Sequence, residues 1–161
     1  MIVQIDSREK ARAIQKILAE FQKQNVKHFV SKLPVGDYMN LDYPRVVIDR
    51  KQNLLELCNN VAQDHKRFTN ELKRAKEYGI HLVILVEHGG KIRCLSDVIT
   101  WVNPRLKDSP MAVSGERLFK ILATMQHNRA DYDVEFQFCS KEETGERILD
   151  ILRRAEGIKR E

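Results

Sequence analysis

Residues 82–86 read Leu-Val-Ile-Leu-Val, an unbroken apolar run closed by Glu87-His88-Gly89-Gly90. Such a run is read as a strand, and strand alternation sends its apolar side chains to both faces. It belongs in the middle of a sheet that is covered on both sides. The rest of the chain must therefore supply flanking strands and the elements that lie over them.

The periodicity provides both. Residues 2–5 form a short strand ending at Asp6. Ile14, Ile17, Leu18 and Phe21 then recur at helical spacing within residues 8–24. Residues 26–30 alternate as a strand, and Lys32-Leu33-Pro34 breaks it. Residues 37–41 and 45–48 are expected to be two strands joined by a turn at Asp42-Tyr43-Pro44. A helical pattern covers residues 53–78, with an interruption near Gln63-Asp64. Val61, His65, Phe68, Leu72 and Ala75 share its apolar stripe, and Gly79 stops it.

Residues 91–114 are the least regular, with a short helix around 95–101. Leu118, Ile121, Leu122 and Met125 define a further helix. Tyr132, Val134, Phe136 and Phe138 alternate with polar residues as a half-buried strand, and Ser140 with Glu143 forms a capping box before the last helix. The order β-α-β-β-β-α-β-α-β-α predicts a mixed α/β layer fold on one sheet.

At 161 residues the chain suits one domain. Twenty-eight Lys+Arg against 23 Asp+Glu give a net charge of +5. That surplus favours a polyanionic partner, although a solvated surface carries it equally well. Cys58, Cys94 and Cys139 are too few and scattered for a disulfide framework or zinc site, and the five histidines lack metal-site spacing. No signal peptide or membrane span is recognisable. These features suggest reduced, core-type cysteines and a cytoplasmic setting, bacterial or that of a phage protein in its host cell.

The chemistry-bearing element is Asp49-Arg50-Lys51, behind the apolar Val46-Val47-Ile48 and twelve residues after Gly36-Asp37. On a strand, Asp49 and Lys51 share one face and Arg50 points away. Asp37, on the neighbouring strand, brings a second carboxylate. Two carboxylates to hold a divalent metal, with an ammonium beside them, suit phosphodiester hydrolysis. Each piece also has a plainer reading. Asp-Arg-Lys is also the polar end of an ordinary buried strand, Gly-Asp is turn chemistry, and Asp6 with Glu9 makes a helix-capping pair.

Taken in order, Asp6-Ser7-Arg8-Glu9, Gly36-Asp37-Tyr38, Ile48-Asp49-Arg50-Lys51, Arg67-Phe68 and Val86-Glu87 resemble the motifs of the XPF/Mus-type structure-specific nucleases over residues 2–90. The resemblance implies a restriction-endonuclease-like mixed sheet flanked by helices on both faces. It implies a metal-dependent endonuclease acting on branched, flapped or forked DNA. Asp37, Asp49, Arg50 and Lys51 would be catalytic. Asp6, Glu9, Asp37 and Asp49 would hold Mg²⁺ or Mn²⁺, the hard cations that oxygen ligands favour. Arg8, Lys66, Arg67, Lys73 and Arg74 would contact DNA, although charge runs on helices are commonly solvated faces. Glu87 is expected near the site, and Trp101 and Arg105 either grip a strand or anchor their loop.

Two positions depart from the family pattern. Asp49 stands where Glu is usual, and Leu55 stands where an Asp is expected, with Glu56 directly after it. The resemblance also implies a homodimer formed through the face opposite the site, and a protein partner supplying DNA-gripping elements. A junction resolvase and an inactive DNA-binding module are the alternatives.

Overall fold

The apolar run becomes the fifth strand of a six-stranded sheet in the computed structural model, which describes residues 1–158. The strands are β1 (Ile2–Ile5), β2 (Lys27–Val30), β3 (Tyr38–Asn40), β4 (Tyr43–Lys51), β5 (His81–Glu87) and β6 (Val134–Cys139). Their spatial order is β2-β1-β3-β4-β5-β6. β1 pairs in parallel with β2, and β4-β5-β6 form a second parallel set. β3 joins the two sets through antiparallel ladders on both of its edges.

Helices α1 (Gln15–Lys23), α2 (Leu54–Ala62), α3 (His65–Glu77), α4 (Gly115–His127) and α5 (Thr144–Ile158) cover the sheet. Leu82, Ile84 and Val86 of β5 pack with Leu57, Phe68, Leu72 and Leu118 of α2, α3 and α4. Val83 and Leu85 pack the other way, with Phe21 of α1 and Leu149 of α5. A five-residue run thus serves two cores, as its lack of polar alternation required. The expected mixed sheet with helices on both faces is the fold observed.

Local details differ for identifiable reasons. The first helix does not begin at Arg8: a 3₁₀ turn, Ala11–Ile14, precedes α1, and neither element has a side-chain cap. The Asp6–Glu9 capping pair is therefore absent. The expected turn at Asp42-Tyr43-Pro44 is tighter, because β4 already starts at Tyr43. Pro44 is tolerated there because the β3–β4 register shifts at Met39/Asn40 and β5 pairs only from Val46 onward. No ladder bond is lost.

His65 leaves the apolar stripe and is exposed at the start of α3. Gly79 ends that helix at φ +69°, with Gly79 and Ile80 N–H donating to the Lys76 and Ala75 carbonyls. The last strand begins at Val134 rather than Tyr132. Glu143 accepts the Ser140 N–H at 3.3 Å, the backbone half of the expected capping box. Trp101 is buried in the core, which answers the loop-anchor reading, while Arg105 is exposed. Cys58 and Cys139 are buried, whereas Cys94 is exposed. Among the described residues no helix is long and apolar enough to cross a membrane.

Candidate active site

The carboxyl ends of β4 and β5 and the start of β3 meet beneath α2 and α3, and there the strand alternation takes effect. Asp49 lies beside Ile84, and Lys51 beside Val86, on the face toward α2 and α3. Arg50 projects to the α1/α5 side. The ladder also fixes Asp37. Its N–H donates to the Ile48 carbonyl at 2.8 Å, and its carbonyl accepts the Asp6 N–H at 2.8 Å. Its carboxylate Oδ2 accepts the Arg50 N–H at 2.8 Å.

Gly36 makes this approach feasible. It sits at φ +69°, and a Cβ there would lie 2.5 Å from Val47 Cγ1 and 3.1 Å from the Ile48 carbonyl oxygen. Only glycine brings Asp37 this close to β4 without strain.

The two carboxyls of Asp37 and Asp49 hydrogen-bond to each other. Burial, then the neighbouring Asp49 and Glu9, push Asp37 up to about 9. Two facing carboxyls that burial and mutual repulsion disfavour as anions make a place where a cation is favoured. Lys51 Nζ lies 3.2 Å from Asp49 Oδ2 and 5.9 Å from the Phe68 ring centroid. Burial works against its charge, but Asp49, with Glu56 and Glu71 beyond it, holds its pKa above the ordinary lysine value. Lys51 is therefore an ammonium at neutral pH.

These residues line a cleft of about 270 Å³ with Arg8, Glu9, Glu56, Asn60, Asp64, Arg67 and Glu71. Glu71, on α3, has no counterpart in the sequence reading. Burial and Asp49 raise its pKa. A carboxylate on a charged helix gives no local signal; the stripe of Phe68, Leu72 and Ala75 could only have indicated which helix face turns inward. Glu56 accepts the Gln52 N–H at 2.7 Å while Asn53 caps α2 through the Glu56 N–H, so the displaced acid stands at the cleft's edge.

Three expected site residues are engaged otherwise: Asp6 lies outside the cleft, while Glu9 and Arg50 line it but are tied to each other. Asp6 is fully buried and does not line the cleft: Oδ1 accepts the Leu33 N–H at 2.7 Å, and Oδ2 accepts Arg8 N–H and Nε at 3.0 and 2.6 Å. It ties the β1 end to the segment after β2. Glu9 is held by Arg50, with Nε on Oε2 at 2.9 Å and Nη2 on Oε1 at 3.1 Å, and the Tyr38 hydroxyl donates to it at 2.7 Å. Arg50 Nη1 also reaches Glu87 Oε1 at 2.7 Å. Arg50, expected to be catalytic, thus has its guanidinium tied to Glu9 and Glu87 at the wall of the cleft. Its backbone, not its guanidinium, touches Asp37. Of the expected metal set, Asp37 and Asp49 face each other in the cleft, Glu9 lines it while bound to Arg50, and Asp6 lies outside it.

The fit to a divalent cation follows from that pair. Among the described residues no group of three or more His, Cys, Asp or Glu is arranged to hold a metal. Mg²⁺, however, is commonly bound through one or two carboxylates and keeps several waters. Asn60 Oδ1, in the same cleft, is buried without a hydrogen-bond partner. Two facing carboxyls and an orphaned acceptor fit a hydrated hard cation.

Arg67 lines both the cleft and an adjoining groove formed by Gln63, Asp64, Lys66, Asn70 and Arg74. Arg8 stands at the cleft with its side chain largely exposed. Lys73 is exposed and lines neither.

A family model described as the ERCC4 domain matches residues 5–149. Comparison with curated proteins gave no match. Among solved structures, XPF from Aeropyrum pernix has a TM-score of 0.67 at 20% identity, and XPF from Aeropyrum pernix in complex with DNA has 0.66 at 19%. Each similarity covers 97% of this chain and 65% of the other, so this chain spans about two thirds of their length. At that identity the structural likeness carries the fold alone. It agrees with the restriction-endonuclease-like architecture expected from the motifs, and the family match agrees with the XPF/Mus-type resemblance. With most of its length inside that match, the chain belongs to the ERCC4 domain family.

Proposed function

We propose that this chain is a metal-dependent DNA endonuclease that hydrolyses a phosphodiester bond in branched, flapped or forked DNA. The observation that carries the reading is the convergence of Asp37, Asp49 and the Lys51 ammonium on one cleft. The similar Aeropyrum pernix XPF in complex with DNA supports DNA as the partner.

Asp37 and Asp49 would hold Mg²⁺ or Mn²⁺, which supplies Lewis-acid stabilisation of charge developing on the phosphate. Lys51 is charged, so it does not abstract a proton. It donates a hydrogen bond, orienting the attacking water or offsetting negative charge on the phosphorane. The Arg50 backbone N–H fixes the Asp37 carboxylate. Arg8 and Arg67 flank the scissile phosphate, and Lys66 and Arg74 continue the contact along the groove. Pairing as a homodimer through the α1/α5 face, and a partner that adds DNA contacts, belong to the same reading.

The test is cleavage of labelled flap, fork, junction, single-stranded and linear DNA with Mg²⁺, Mn²⁺ or EDTA. The expected result is cutting of a branched substrate with either metal and none in EDTA. Robust cutting in excess EDTA refutes metal dependence. Inactivity across the panel at low salt, with DNA still bound, identifies a binding module instead.

A further inference from the structure

Asn60 has no assigned role, and its Oδ1 is the one buried side-chain oxygen or nitrogen without a hydrogen-bond partner among the described residues. Leaving a buried polar atom unpaired costs about 1–3 kcal/mol, so such atoms mark a missing partner. The position of Asn60 says what kind. It lies on α2, two turns beyond the Asn53 cap, and lines the cleft with Asp37, Asp49, Glu56 and Glu71. Its neighbours there are mainly acceptors. Lys51, the nearby donor, is held by Asp49. An acceptor among carboxylates is satisfied by a molecule that brings donors of its own. The roughly 270 Å³ of space is enough for several waters at about 30 Å³ each.

We propose that Asn60 is an outer-sphere ligand of the divalent cation, its amide oxygen accepting a hydrogen bond from water that the ion carries. The inference rests on the reading of Asp37 and Asp49 as the metal pair and adds a residue to it. Two carboxylates leave most of an octahedral Mg²⁺ shell to water. Those waters are strong donors and need acceptors. Asn60 supplies a neutral one, which spares the cleft a further negative charge.

The experiment is direct Mn²⁺ binding to DNA-free protein, measured by electron paramagnetic resonance of the free ion and by calorimetry, with no cleavage involved. Wild type is compared with Asn60→Ala, Asn60→Asp and the Asp37→Asn/Asp49→Asn double variant. Loss of an outer-sphere partner costs about 10–100-fold in metal affinity, so Asn60→Ala should weaken Mn²⁺ binding by at least tenfold. Asn60→Asp keeps the acceptor and should bind at least as tightly as wild type. Thermal melts in EDTA show whether each variant is folded, and Asn60→Ser replaces Asn60→Ala if that variant is not. If Asn60→Ala binds Mn²⁺ as wild type does, or Asn60→Asp weakens it as much as Asn60→Ala, the proposal is overturned. If the double variant retains wild-type binding, it is the Asp37/Asp49 reading that fails.

Discussion

Replacing Arg50 by alanine tests whether this residue is a structural tie rather than a catalytic group. Arg50 is 8% exposed, and its guanidinium makes three charge-assisted hydrogen bonds, two to Glu9 and one to Glu87. Glu87 is itself buried and Glu9 nearly so, at 3% and 10% side-chain exposure. Removing one partner of a buried pair leaves uncompensated charge, at a cost of about 3–5 kcal/mol. For a chain of this length each kcal/mol lowers Tm by about 2–4 °C. Arg50→Ala should therefore melt about 6–20 °C below wild type in EDTA, by circular dichroism or calorimetry. Adding Glu9→Gln and Glu87→Gln should restore part of the loss, because both stranded charges are then gone. An Arg50→Ala protein that melts within about 2 °C of wild type but has lost cleavage would refute this account and return Arg50 to the chemistry.

Asp37→Asn and Asp49→Asn should each abolish cleavage while leaving DNA binding intact or tighter, and Asp37→Asn should also raise Tm in EDTA at neutral pH by removing a carboxyl that burial disfavours as an anion; a wild-type cutting rate in either variant contradicts the metal pair. Arg67→Ala should weaken binding to every DNA structure and reduce its salt dependence, whereas Lys73→Ala should do neither; equal losses would place the DNA path along the whole helix rather than the groove. His81 donates toward Glu135 at 3.3 Å and Asp133 at 2.7 Å, and these carboxylates raise it to about 9 against the opposing effect of burial. Its charge contributes stability that is fully present below about pH 6.5 and lost as pH rises through about 9. The side chain is over a third exposed, so the effect should be under about 1 kcal/mol. A Tm difference between wild type and His81→Gln that persists unchanged at pH 10 would exclude this titration.

What could be read in the sequence was whatever period and short range determine. Alternation on β4 separated Asp49 and Lys51 from Arg50, and an apolar run without alternation placed β5 at the centre. The α2–α3 boundary at Gln63-Asp64 followed from the interrupted helical pattern. What could not be read depends on pairings distant in sequence. Glu9 meets Arg50 across 41 positions, and Glu87 meets it across 37. No local pattern distinguishes such a tie from a metal ligand. Asp6 shows the same limit: its acceptors are used by Arg8 and by Leu33 of a separate segment. Pro44 was read as a turn because proline lacks an N–H, but the register shift beside it leaves no partner needing one.

The charge balance of the cleft connects its parts. Glu9, Asp37, Asp49, Glu56, Asp64 and Glu71 line it against Arg8, Arg50, Lys51 and Arg67, a formal surplus of two negative charges on a protein whose net charge is +5. Burial first, then repulsion from Asp49 and Glu9, keeps a proton on Asp37 far above the usual carboxylate range. Such a cleft would also repel a phosphate. One divalent cation would match that surplus and would favour the ionised form of both Asp37 and Asp49. Metal and DNA should therefore assist each other at this cleft: the ion removes the repulsion, and the phosphate supplies oxygen ligands that two carboxyls alone do not. The basic groove beside Arg67 can attract the DNA backbone without metal, but the scissile phosphate should settle only when the cation is present.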